Sequence, residues 1–139
     1  MSHKSQKIAQ LIRPFQGQSL DPHYLAYFDC FHHQRFFDAH EVLEHLWLPQ
    51  RKAADGPFYK GLIQLAGAFV HLEKGRPQPA AALFHLAEQN LRHYSGHHHY
   101  LDISQTLSGI QQWLARLASS EPMTNVPLVL PQLRLNFVG

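Results

Sequence analysis

The sequence holds a single cysteine, Cys30, so no disulfide framework can form within the chain. A reducing cytoplasm is the expected setting for such a composition. Charge of one sign is also scarce. Twelve Lys and Arg stand against ten Asp and Glu, a formal net charge of +2, and the basic residues do not cluster. That balance argues against a nucleic-acid partner. Long hydrophobic runs are missing too. The longest uncharged apolar stretch, residues 61–72, contains Gln64, and it falls well short of the ~18 residues a bilayer span needs. The opening MSHKSQKIAQ lacks the apolar core of a signal peptide, so the expectation is a cytoplasmic protein with no membrane partner. A phosphate-cradling glycine loop and a G-x-S-x-G elbow are absent. So is any Glu-x-x-His pair, which removes the ferritin-like di-iron bundle.

What remains is apolar and helical. Hydrophobic residues make up 45% of the 139 and charged residues 16%, enough for a real core and for one domain. Five main helices can be placed. The first opens at Asp21-Pro22, a cap followed by proline, and Tyr24, Tyr27, Phe28 and Phe31 form its apolar stripe. The second spans 36–48 and stops at Pro49. The third spans 57–74 and ends at Gly75. The fourth opens at Pro77 and runs to 95–96. The fifth begins at Asp102, and Ile103, Leu107, Ile110, Leu114 and Leu117 line one face of it.

The expected fold is all-α: a compact bundle of about five helices with an extended, proline-broken C-terminal tail. Residues 1–20 read as a polar lead-in with a short helix around 8–12, residues 21–119 as the helical domain, and 120–139 as an arm. Pro122, Pro127 and Pro131 break that arm. Its apolar part, 126–138, would pack on this domain or on a second copy, giving a homo-oligomer. No segment before the tail reads as a strand.

Twelve histidines are the compositional anomaly. His32-His33 and His97-His98-His99 fall in turns, where solvated residues are a readier reading than a metal tract. His40 does not fall in a turn. At 100° per residue, Phe36, His40, Leu43 and Trp47 lie within about 60° of one another. The imidazole therefore sits in an apolar stripe, with Glu44 on its flank and Glu41 further round. On the third helix Lys60, Gln64 and His71 share a face within about 40°, flanked by Gly61, Gly67 and Ala68. Small residues admit a close neighbour, and the expectation is that this face meets the one bearing His40 and Glu44.

Four chemistries compete for these residues. His40, Glu41 and Glu44 suit general acid–base work. Lys60, Gln64, His71 and Trp47 would line a ligand pocket. His40, Glu44 and His71 could hold zinc, iron or manganese, although the zincin pattern fails because position i+4 from His40 is Glu44. Alternatively the His/Glu/Gln group only fixes helix register, with Trp47, Phe36 and Phe37 as core and Lys60 reaching solvent. Cys30, among aromatics, reads as a small apolar residue.

The run from Phe37 to Trp47, FDAHEVLEHLW, with its HExxE motif, and the run YKGLIQLA from Tyr59 resemble the two hallmarks of domain-of-unknown-function family 309. His71 and Gly75 follow in the same order, and the similarity covers residues 24–95. The resemblance implies an all-helical fold and no assigned activity. It places the family's polar positions on His40, Glu41, Glu44, Lys60 and Gln64, with Trp47 and Gly61 as structural companions. The histidines at 97–99 and the tail have no counterpart in it. The sequence thus points to an uncharacterised helical protein with a polar pocket. That pocket would bind a small molecule or support acid–base or metal-assisted chemistry. The rival is a non-enzymatic interaction or self-association module, signalled by the apolar tail and the aromatic first helix.

Overall fold

The computed structural model describes residues 3–119 together with Leu133 and Leu135. Six α-helices occur there: α1 (His3–Ile12), α2 (Pro22–His32), α3 (Phe36–Trp47), α4 (Gly56–Glu73), α5 (Pro77–Leu91) and α6 (Ile103–Ala118). Their ends carry the expected signals. The Asp21 carboxylate accepts from the His23 amide, and that of Asp102 from the Gln105 amide. Gly75, at φ +68°, closes α4. The Arg76 amide donates to the His71 carbonyl and the Gly75 amide to that of Leu72, the paired bonds of a Schellman ending.

The architecture is all-α and centred on α4, with α3 and α5 packed beside it, α2 outside α3 and α6 outside α5. A column of rings ties these layers together. Phe69 of α4 meets Phe31 of α2, Phe36 of α3, Phe84 of α5 and Trp113 of α6, with centroids 5.0–5.6 Å apart. Each such pair contributes about 0.5–1.5 kcal/mol beyond its area burial. The small residues of α4 do admit a close neighbour, but it is α5. A Cβ on Gly61 would stand 2.8 Å from Leu91 Cγ, and one on Gly67 3.2 Å from Leu83 Cδ1.

Two expectations are corrected. The fourth helix stops at Leu91 rather than at 95–96. The segment after it contains an antiparallel hairpin of β1 (His97–His98) and β2 (Leu101–Asp102), where no strand was expected. Two residues per strand are too few to show a period-two pattern. The lead-in is anchored, since Ile8 of α1 belongs to the core cluster. The apolar stretch 126–138 lies outside the described residues except at two positions. Leu133 is buried, and Leu135 forms a bridge to Leu101 of β2.

Candidate functional site

The residues expected to share one interior point are instead half-buried and spread along a strip. On α3, the spacing of Asp38, Glu41 and Glu44 by three turns three carboxylates to one side. Helix α1 answers with two lysines at the same spacing. Lys7 Nζ lies 2.5 Å from Asp38 and 2.7 Å from Glu41, and Lys4 Nζ lies 3.4 Å from Glu44. Arg35 adds a 2.6 Å pair to Asp38. Burial works to raise the Asp38 carboxyl, but the hydrogen bonds from Lys7 and Arg35 prevail and hold it below the usual carboxylate range. These acids therefore anchor α1 as well as facing solvent.

His40 has its Nε2 3.7 Å from the Glu44 carboxylate and its ring stacked on Phe37 at 5.9 Å. Its Nδ1 is buried without a hydrogen-bond partner. Burial lowers the His40 pKa despite the neighbouring Glu44 and Glu41, so the ring is neutral at pH 7. Across the strip, the Lys60 ammonium sits 4.3 Å from the Trp47 ring centroid, a cation–π contact. Gln64 does not meet His40. Its carbonyl oxygen accepts from Asn90 Nδ2 of α5 at 2.7 Å. His71 keeps a buried Nδ1 without a partner. Helix geometry explains why these groups fail to converge. Lys60 and His71 are eleven residues apart, about 16 Å along the axis, so one face of α4 offers a line of groups rather than a point.

A convergent cluster does exist, at the start of α4. The Asp55 carboxylate lies 2.8 Å from His98 Nε2 and 2.7 Å from His99 Nε2, one oxygen to each ring. One ligand atom from each of these three residues falls within 4.8 Å of the others, and this is the one such His/Cys/Asp/Glu group of three or more among the described residues. His40, Glu44 and His71 form none. The reading of the histidine triplet as solvated turn residues is corrected here for His98 and His99. His97 remains exposed.

Local structure concentrates on this cluster. Asp55 is the N-cap of α4, yet its side chain makes no capping bond. The Tyr94 hydroxyl takes that place, accepting from the Phe58 amide at 3.1 Å while donating to the Ala54 carbonyl at 2.8 Å. The carboxylate is thereby free to turn to the imidazoles. Burial pushes Asp55 up, but the hydrogen bonds from His99 and His98 outweigh it and hold the carboxyl below its usual range. The two hairpin-tip residues, His99 at φ +47° and Tyr100 at φ +66°, occupy left-handed backbone. Type I′ hairpins normally reserve those positions for Asn and Gly, and holding other residues there costs on the order of 1–3 kcal/mol each.

An aromatic wall surrounds the imidazoles. His98 lies 4.6 Å from Phe58 and 4.5 Å from Tyr94, and His99 lies parallel to Tyr59 at 6.1 Å. The Tyr24 hydroxyl donates to the His99 carbonyl at 2.9 Å. Burial raises the Tyr59 pKa to about 12, so that residue stays a neutral phenol. A separate open cleft of about 340 Å³ between α5 and α6, lined by Pro77, Ala81, His85, Leu114 and Leu117, touches neither the strip nor the cluster. The described helices include none long and apolar enough to cross a membrane.

Comparison with known proteins adds one match. The family model described as "Domain of unknown function (DUF309)" matches residues 24–83. No curated protein matches the chain, and no solved structure does. The matched segment contains every motif residue of the α3–α4 strip. It also contains Tyr24, Asp55, Phe58 and Tyr59 of the aromatic cluster, but stops short of Tyr94, His98 and His99.

Proposed function

We propose that in this chain, whose residues 24–83 match the family model described as DUF309, the half-exposed strip of α3 and α4 binds a small polar molecule. His40 would be its hydrogen-bonding base, with Glu41, Glu44, Lys60, Trp47, Gln64 and His71 along it. The observation carrying this reading is His40 itself. Its ring is neutral, partly open to solvent and beside a carboxylate; the nitrogen without a partner is the buried Nδ1, so a ligand would meet the ring along its Nε2 edge. A neutral imidazole next to Glu44 can accept a proton from a bound donor, and Glu44 would stabilise the imidazolium that results. Lys60, held on the Trp47 face, supplies a cation a short distance along the strip.

The test is an NMR titration with a panel of small carboxylates, phosphates and amines. It follows the His40 ring protons and the Trp47 indole. Binding here predicts saturable shifts at both, lost in His40→Gln. Shifts confined to other residues, or unchanged in the variant, would end the proposal. The same spectra give a pH check. The His40 pKa is lowered from 6.5, so its contribution to stability is complete above that value and is lost as pH falls toward the lower folded one. The acid limb of the stability profile should flatten in His40→Gln.

A second reading has support of its own. Phe37, Leu48 and Leu86 are large apolar side chains left exposed, and the Lys4 and Lys7 pairs give the α3 acids a structural task. On that reading the module is an interaction surface, and the titration above would show no small-molecule shifts.

A further inference from the structure

We propose that Asp55, His98 and His99 form a binding site for a divalent transition-metal ion of the zinc class. The site is separate from the α3–α4 strip, and its evidence is independent of the reading above. The donor set is the first argument. Two imidazole nitrogens and one carboxylate are borderline ligands suited to zinc and its neighbours rather than to magnesium or calcium. Three protein ligands also leave a coordination position for water or for an atom of a bound molecule.

Pre-assembly is the second argument. The donors already face one another at 2.7 and 2.8 Å. A metal takes nitrogen at about 2.0–2.1 Å and oxygen at about 2.0–2.2 Å, so tetrahedral donors stand roughly 3.3 Å apart. Each His–Asp pair therefore needs to open by only about half an ångström, and one ligand atom from each of the three residues already lies within 4.8 Å of the others. Side chains that are 28%, 36% and 30% exposed at His98, His99 and Asp55 can open that far, and the exposure gives the ion a path in. A metal-bound ring would offer its Nε2 lone pair and carry its N–H on Nδ1, with Asp55 supplying an ionised carboxylate. The ligand charge balances half of the ion's.

The supporting frame is the third argument. Asp55 occupies the N-cap of α4 without capping it, and its carboxylate turns to the two imidazoles instead. Here Tyr94 does the capping, Tyr24 holds the His99 carbonyl, and the hairpin keeps two non-glycine residues in left-handed backbone. Each device orients a donor without being one, which is the role outer-shell groups play around bound metals.

The test is a Co(II) titration of tag-free, metal-stripped protein, followed by visible ligand-field absorption and competition with Zn(II). The wild-type chain should show one saturable equivalent, and Zn(II) should bleach the bands. Asp55→Asn, His98→Gln and His99→Gln should each weaken binding by at least the roughly 10–100-fold that loss of an outer-shell partner costs. His97→Gln, which alters an exposed neighbour, should bind as wild type. Circular dichroism without metal identifies any variant that fails to fold, and the remaining two then decide. Absence of ligand-field bands in the wild type would overturn the proposal. So would unchanged affinity in the folded variants, or an equal loss in His97→Gln.

Discussion

The α3–α4 strip and the histidine hairpin are both rich in polar groups, yet they are built on opposite plans. The strip draws on two long helices, where neighbours on one face stand about 5.4 Å apart per turn. Its members find partners in different directions: Lys4 and Lys7 on α1, Asn90 on α5, Trp47 within the strip. The hairpin cluster draws on a helix start and a tight turn 43 and 44 residues away in sequence, and both imidazoles end on one carboxylate. Recognisable motifs mark the strip, whereas convergence marks the cluster. Chemistry at a point needs convergence.

The comparison can be broken most severely at Gly56. A Cβ there would stand 2.3 Å from the Arg51 carbonyl oxygen, a backbone atom that cannot rotate away. Gly56→Ala should destabilise the chain by about 2–3 kcal/mol in urea unfolding, the upper range for overpacking. It should also displace Asp55 and weaken Co(II) binding. A variant with unchanged stability would show that the tight 51–56 loop is not what positions the carboxylate.

How much of this could be read from the sequence depends on the kind of information required. Helix existence was legible because apolar residues recur every three to four positions and because Asp21, Asp102, Gly75 and the prolines punctuate the ends. All five expected main helices are present, as is the short one before them. The wheel placed His40 and Glu44 on adjoining directions correctly, and they do lie 3.7 Å apart. A wheel carries no information on which helix lies opposite, so the Gly61/Gly67 face was assigned to α3 when it receives α5. The cluster was harder still. His98 and His99 looked like ordinary turn residues, and Asp55 precedes Gly56-Pro57, an ordinary turn sequence. The available clue was three histidines between two helices with no glycine at the turn tip, a sequence badly suited to a free hairpin.

A gentler cut separates the cluster's frame from its donors. Tyr94→Phe removes one bond to the Phe58 amide and one to the Ala54 carbonyl, leaving the first turn of α4 uncapped. The expected loss is about 1–2 kcal/mol, the cost of a missing cap. A measured loss near zero would mean that Asp55 has swung back to cap the helix. Co(II) affinity would then fall in the same variant.

The smallest effect belongs to the strip. Lys7→Met removes pairs to Asp38 and Glu41, but Lys7 is 36% exposed, so solvent screening limits the loss to less than about 1 kcal/mol at low salt. Because the folded Asp38 carboxyl is held below its usual range, the contribution is complete above the ordinary carboxylate pKa of about 3.9 and is lost as pH falls through the lower folded value. Wild type and variant should therefore converge in acid, and also in high salt. A difference that persists in acid or in salt would mean that packing of α1, not charge, holds that helix on α3.

The contrast between strip and hairpin is tested most directly by nitrogen-15 NMR of the histidine rings, recorded while Zn(II) is added to one equivalent. Convergence at Asp55 predicts that the Nε2 resonances of His98 and His99 move first and together, with His40 and His71 unchanged. Zinc-induced shifts at His40 or His71, with His98 and His99 silent, would contradict it.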